Sequence, residues 1–145
     1  MRRAALAFAL AALLAGCVAS PGRTVTSQDA RAVVERYLQA INRRDLVSLA
    51  AFATPDVEWI SMANGERIVE VSGREALRQA YEEYFKQNAF TSWRIERALA
   101  ADRYVAVVER AEWGEGAARA ARVSMGVYEI VDGRIRRITY FLNEK

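Results

Sequence analysis

The chain has 145 residues, 52% of them hydrophobic and 27% charged, with a formal net charge of +3. That length suits one domain with its own core. There is no histidine and a single cysteine, Cys17. This composition excludes histidine-dependent nucleophile activation, the commonest metal ligand and any intramolecular disulfide.

Residues 1–16 read as a leader. Met1-Arg2-Arg3 is basic, Ala4 to Leu14 is an apolar run of 11 residues, and Ala15-Gly16 precedes Cys17. A basic start, a short apolar core and a small-residue processing site are the order of an export signal. The run is about half the ~20 residues a helix needs to cross a bilayer, so it predicts a removed signal and not a span. Leu14-Ala15-Gly16-Cys17 resembles the bacterial lipobox. The resemblance implies cleavage before Cys17, a diacylglyceryl group on its thiol and acylation of the new amino terminus. Several acyl chains give lasting anchorage to a membrane, where one gives marginal binding. Val18 in place of an aspartate after the cysteine implies, by resemblance to Gram-negative sorting, the periplasmic face of the outer membrane. Processing leaves 129 residues, and the loss of Arg2 and Arg3 leaves 19 basic against 18 acidic side chains. No basic stripe persists, so no nucleic-acid partner is expected. Residues 17–26 read as the lipidated cysteine and a short tether containing Ser20, Pro21 and Gly22, and residues 27–145 as one domain.

The first helix is marked by Ala30, Val33, Val34, Tyr37, Leu38 and Ile41, which share one face at a period of 3.6. Ser27 is the expected cap, with Asp29 at the positive end of the dipole. Asn42-Arg43-Arg44 ends the helix, and Asp45 caps a short second one that turns Leu46, Leu49, Ala50 and Phe52 inward. Pro55-Asp56 is expected to break it. Val57 to Met62 predicts a strand, Ala63-Asn64-Gly65 a turn, and Arg67 to Val71 a return strand. Ser72-Gly73-Arg74-Glu75 has the spacing of a capping box for a third helix carrying Leu77, Ala80, Tyr81, Tyr84 and Phe85. Four long strands follow: Thr91 to Leu99, Tyr104 to Trp113, Ala118 to Val131 and Arg134 to Leu142. Their links are Ala101-Asp102, Gly114 to Ala117 and Asp132-Gly133. Helices first and an antiparallel meander last predict an α+β architecture.

This order resembles the nuclear transport factor 2-like superfamily, and within it the SnoaL-like branch, named for polyketide cyclases and related to steroid delta-isomerases. The resemblance is carried by Arg36-Tyr37-Leu38 through Arg44-Asp45, Asp56-Val57-Glu58-Trp59, Gly73-Arg74-Glu75-Ala76-Leu77, and Asp132-Gly133-Arg134-Ile135 through Tyr140-Phe141. It implies a cone with three N-terminal helices packed on a curved, mainly antiparallel sheet. Such cones host cyclases, isomerases, hydrolases, pure binders and assembly modules. A steroid isomerase of this fold uses an aspartate base with a tyrosine and a protonated acid as oxyanion donors. Tyr37 matches the tyrosine. The base position falls near Ile60-Ser61 and the acid near Gly126, neither of which carries a carboxyl. No catalytic set, metal site or cofactor is therefore expected.

A β-hairpin centred between Glu115 and Gly116 would oppose Glu109 to Arg122, Ala111 to Ala120 and Val107 to Ser124. By resemblance, Val107, Glu109, Ser124 and Tyr128 face the concave side, joined by Ile138, Tyr140 and Leu142 of the last strand. Tyr37 approaches from the first helix and Tyr84 or Tyr81 from the third. Candidate pocket residues are thus Tyr37, Glu58, Tyr84, Glu109, Arg122, Ser124, Tyr128 and Tyr140. An internal Glu109–Arg122 pair would hold a ligand carboxylate, whereas the same pair at an exposed mouth would be a weak surface salt bridge. Tyr37, on the apolar stripe, also fits plain packing, and Glu58 also fits a solvated strand position. Trp59, Trp93 and Trp113 fit core positions, and Arg134, Arg136 and Arg137 exposed ones. The function expected is a membrane-anchored domain binding a small apolar or amphipathic ligand. The alternatives are an accessory envelope lipoprotein with a filled cone, or an isomerase, cyclase or hydrolase using Tyr37, Glu109 or Glu58. An apolar convex face of Ala106, Val108, Val123, Met125 and Val127 predicts a homodimer.

Overall fold

The computed structural model describes residues 26–141; Cys17, the leader and Leu142 lie outside the described residues. Helix α1 (Ser27–Asn42) begins one residue earlier in its capping than expected. Thr26, not Ser27, is the N-cap: its hydroxyl accepts from the Asp29 amide at 3.1 Å, while the Asp29 carboxylate accepts from the Thr26 amide at 3.2 Å. The reciprocal bond needs an acid three residues on, and only Thr26 has one. The apolar stripe of α1, from Ala30 to Ile41, is buried as its period requires.

Two polar residues at the end of α1 fasten it to distant elements. The Asn42 side chain donates to the Trp93 carbonyl at 2.8 Å and accepts from the Trp93 amide at 2.7 Å, standing in for a neighbouring strand. Arg44, at φ 56, donates to the carbonyls of Phe85, Asn88 and Ala89, and its guanidinium lies 4.9 Å from the Phe85 ring centroid. Asp45 caps α2 (Leu46–Ala51) through the Ser48 amide, and Leu49 is its buried anchor.

Strands β1 (Ala53–Ala63) and β2 (Glu66–Ser72) form the first hairpin, closed by Asn64 and Gly65, both at positive φ. β1 starts four residues before the expected Val57. Pro55 does not end it, because the ladder to the last strand breaks register between Ala53 and Glu58, and a bulge tolerates a residue without an N–H. Helix α3 (Arg74–Gln87) is capped by Gly73 at φ 95 and has no side-chain cap. The expected Ser72–Glu75 box does not form: Ser72 is still paired in the sheet with Glu58, and Glu75 is held by Arg78 at 2.9 Å.

Strands β3 (Thr91–Ala101), β4 (Tyr104–Trp113), β5 (Ala120–Val131) and β6 (Arg134–Phe141) make the meander, and the sheet order is β2-β1-β6-β5-β4-β3. Only β1 and β6 run parallel. Helices α1 and α3 pack on one face, burying Tyr37, Leu77, Tyr81 and Phe85 against Val105, Val107, Tyr128, Ile130 and Ile138. On the other face Leu99, Val123, Met125 and Phe141 stay exposed.

The β4–β5 register differs from the expected one by two residues: Glu109 opposes Ser124, and Ala111 opposes Arg122. The loop takes residues 114–119 and closes through a 3-10 turn at Gly116–Ala118. Gly114, at φ +80, leaves the ladder so close to the Ala118 carbonyl that a Cβ there would meet its oxygen at 2.5 Å. A shift of two preserves the face on which each side chain lies.

Replacing Asn42 by alanine removes both side-chain bonds to the Trp93 backbone and leaves water to replace them. Asn42→Ala is expected to lower unfolding stability by about 1 kcal/mol, read as a lower urea midpoint at unchanged slope.

Candidate active site

The helix-covered face is built in rows that cross β3, β4 and β5. The outermost row is Thr91, Trp113 and Ala120, and the next is Trp93, Ala111 and Arg122. Below them lie Ile95, Glu109 and Ser124, then Ala98, Val107 and Gly126, with Tyr140 of β6 and Ser61 of β1 completing that row. Val105, Tyr128, Ile138 and Trp59 close the deep end.

Between the upper rows and α3 lies a cavity of about 560 Å³. That falls within the range of small-molecule sites. Its walls are mainly aromatic: Trp59, Tyr81, Tyr84, Trp93, Trp113 and Tyr140. Trp59 stacks on Tyr81 at 5.8 Å and meets Tyr140 edge-on at 5.8 Å. A second hollow, about 360 Å³ between α1 and β3, is rimmed by charges that include the Arg31–Glu35 pair. Most of the apolar wall surface is in the first.

Glu109 supplies the polar wall. It is 1% exposed and has no ion-pair partner among the described residues. Its two oxygens accept from Tyr140 at 2.7 Å and from Tyr128 at 3.0 Å, and those hydroxyls lie 2.9 Å apart. Burial pushes the carboxyl above its ordinary value, against the smaller opposing pull of the two phenols. Burial, followed by the nearby carboxylate, also raises Tyr128 and Tyr140 well above the usual phenol range, so both remain protonated donors. Behind them, Tyr37 donates to Tyr81 at 3.1 Å.

Gly126 makes this geometry possible. A Cβ there would approach the Tyr140 ring to 3.0 Å, so the missing side chain is what lets the ring lie across β5 and reach Glu109. The position where the steroid-isomerase pattern carries its acid is thus covered by a tyrosine ring, and a carboxyl rises from the neighbouring strand.

Of the residues singled out from the sequence, Tyr84, Glu109, Arg122, Ser124 and Tyr140 line the cavity. Tyr37 and Tyr128 are fully buried behind its wall. Glu58 does not belong to the site: it pairs with Arg67 at 3.2 Å and Arg137 at 3.1 Å on the outer face. Alternation along β1 sends Trp59 and Ser61 inward and Glu58 outward. Arg122 and Glu109 are not a directly opposed pair, because the longer loop moves Arg122 one row outward. Ser61, Ala111 and Gly126 shape the site without having been candidates for it. The alternation of Glu58, Trp59, Ile60 and Ser61 carried the signal for Ser61. Among the described residues no group of three or more Asp, Glu, His or Cys side chains converges as metal ligands would. The arrangement can exchange one proton with a bound molecule and hydrogen-bond an oxygen atom.

Cone, helices and pocketed concave face define an α+β domain of the nuclear transport factor 2-like fold. Residues 34–138 match the family described as the SnoaL-like domain, and the chain belongs to that family. Among solved structures it is similar to a candidate ketosteroid isomerase from Kribbella flavida, at 27% identity and a TM-score of 0.64, over 81% of this chain and 80% of that one. It is also similar to an LEH-like epoxide hydrolase from M. tuberculosis, at 20% identity and a TM-score of 0.66, over 80% of this chain and 84% of that one. A protein from a soil-derived mobile gene cassette shares the fold at 18% identity and a TM-score of 0.66, over 79% of this chain and 88% of that one. A search of curated protein sequences returns no match.

Folding favours the protonated form of Glu109, since its folded proton affinity exceeds its unfolded one. Its contribution to stability is full below the unfolded pKa and is lost as pH rises through the folded one. Glu109→Gln removes that loss. The variant is expected to melt higher than the parent chain at pH ~7 and to lose most of that advantage near pH ~4, where the unfolded carboxyl is itself half protonated. Thermal unfolding at the two pH values measures it.

Proposed function

We propose that the domain binds a small, largely apolar ligand carrying one oxygen function, a carbonyl or a hydroxyl, placed against Glu109. The observation that carries this reading is an almost fully buried carboxyl without a cation, set in the wall of an aromatic cavity. Protonated, it donates to a carbonyl; ionised, it accepts from a hydroxyl. A cavity of about 560 Å³ counts against a cone filled by its own side chains.

A second reading, acid–base catalysis, is favoured by the raised proton affinity of Glu109. The relatives named as a candidate isomerase and an epoxide hydrolase add to it. Glu109 would then be the group that exchanges a proton with substrate, because the base position of the isomerase pattern falls near Ile60-Ser61, neither of which carries a carboxyl.

The leader, lipobox and lone cysteine support anchoring of this domain to the cell envelope through lipid on Cys17. Among the described residues no helix is long and apolar enough to cross a membrane.

The full-length chain is expected to bind 2-naphthol in calorimetric titration, and Ala111→Trp, which fills the upper cavity, to abolish binding while the fold is retained. Absence of binding by the parent chain, or its persistence in the filled variant, would sink the ligand-binding reading. Loss of turnover in Glu109→Gln with 2-naphthol binding kept would favour the catalytic one. Cys17→Ser is expected to stop incorporation of radiolabelled fatty acid; continued labelling would overturn the anchor.

A further inference from the structure

Resting on the ligand-binding reading above, we infer that Arg122 is an anion-binding end of the same cavity, and that the ligand is an amphipathic carboxylic acid. Its carboxylate meets Arg122 while its second oxygen meets Glu109.

Arg122 lines the cavity and is exposed, and its guanidinium has no hydrogen-bond or ion-pair partner among the described residues. Most arginines of the sheet and its connecting turns are paired: Arg67, Arg94, Arg103, Arg110, Arg119, Arg136 and Arg137 each meet a carboxylate. Arg97 and Arg134 do not, but neither lines this cavity. A guanidinium left open at the mouth of an apolar cavity, on a sheet where its neighbours are neutralised, is available to an incoming anion.

Its surroundings fit one planar charge. Arg122 shares its row with Trp93 and Ala111, and Trp113 stands in the next row out. Ala111 leaves the space beside the guanidinium open. The arginine fork matches a carboxylate bidentately. Glu70 also lines the cavity, from β2, with β1 and β6 between it and β5. An acid on that wall and a single free arginine on the other disfavour a dianion such as phosphate and direct a monoanion to the β5 side. Glu109 lies one row deeper, about 7 Å along the strand. No ion pair joins the two side chains among the described residues, and the separation spans two polar ends of one small molecule with an apolar body between them.

The test compares 6-hydroxy-2-naphthoate with 2-naphthol, which share the ring and hydroxyl and differ in the carboxylate, by calorimetry on the full-length chain. The parent chain is expected to bind the naphthoate about tenfold more tightly. Arg122→Gln should erase that preference, bringing the naphthoate and 2-naphthol affinities together, while Arg122→Lys should keep part of it. Equal affinities in the parent chain, or a preference that survives Arg122→Gln, would overturn the inference while leaving ligand binding intact. If 2-naphthol itself does not bind, the ligand-binding reading fails and the inference fails with it.

Discussion

The Glu109 carboxyl leaves water without meeting a cation, and much of the concave face is arranged around that fact. An ionised carboxylate in such a place loses its hydration and must recover it from dipoles. Tyr128 and Tyr140 supply two hydroxyls, one to each oxygen. Each phenol is itself buried, and each needs a wall to hold it. Gly126 gives Tyr140 its place, and Tyr128 packs edge-on against Tyr37 of α1 at 6.2 Å. A polar group on β4 therefore depends on a glycine on β5, a tyrosine on β6 and a helix from the start of the domain.

The cavity wall is fixed by contacts that come from outside it. Asn42 binds both backbone groups of Trp93, and Trp93 stands in the Arg122 row. Arg44 binds the Phe85 carbonyl in the last turn of α3 and the Asn88 and Ala89 carbonyls just past it, and α3 is the helix that brings Tyr81 and Tyr84 over the sheet. Both anchors sit just beyond the apolar stripe of α1. The end of one helix thus sets the distance between two walls of the pocket, and an open volume persists because its boundary is hydrogen-bonded in place.

Much of this was legible in the amino-acid order. The stripe from Ala30 to Ile41 has one period and one solution. Asn64-Gly65 and Asp132-Gly133 demand positive φ and close two-residue loops, as they do in the structure. The strand order of the meander follows from such turns. Other features depend on contacts that no local pattern contains. Pro55 reads as a break until the β1–β6 bulge gives it a place. Ser72 looks like a cap until pairing with Glu58 claims it for the sheet. The hairpin register hinged on whether Gly114 stays in the ladder, and its close approach to Ala118 decides that. Faces survived the two-residue error and partners did not, so Glu109 kept its position facing the cavity while its supposed ion pair vanished. The Tyr128–Glu109–Tyr140 cluster draws on three strands, and no spacing within one of them reveals it.

The same pinning bears on chemistry. An isomerase takes a proton from one atom and returns it to another, so a lone carboxyl must reach both. Glu109 is fixed at both oxygens by phenols that are themselves buried. A group so held orients an oxygen atom well and travels poorly. Ser61, where a second proton acceptor would serve, offers a hydroxyl of far lower basicity than a carboxylate. Rigidity at Glu109 and neutrality at Ser61 act in one direction: under the proposed reading, both suit a group that orients a ligand's oxygen more than one that shuttles a proton between two atoms.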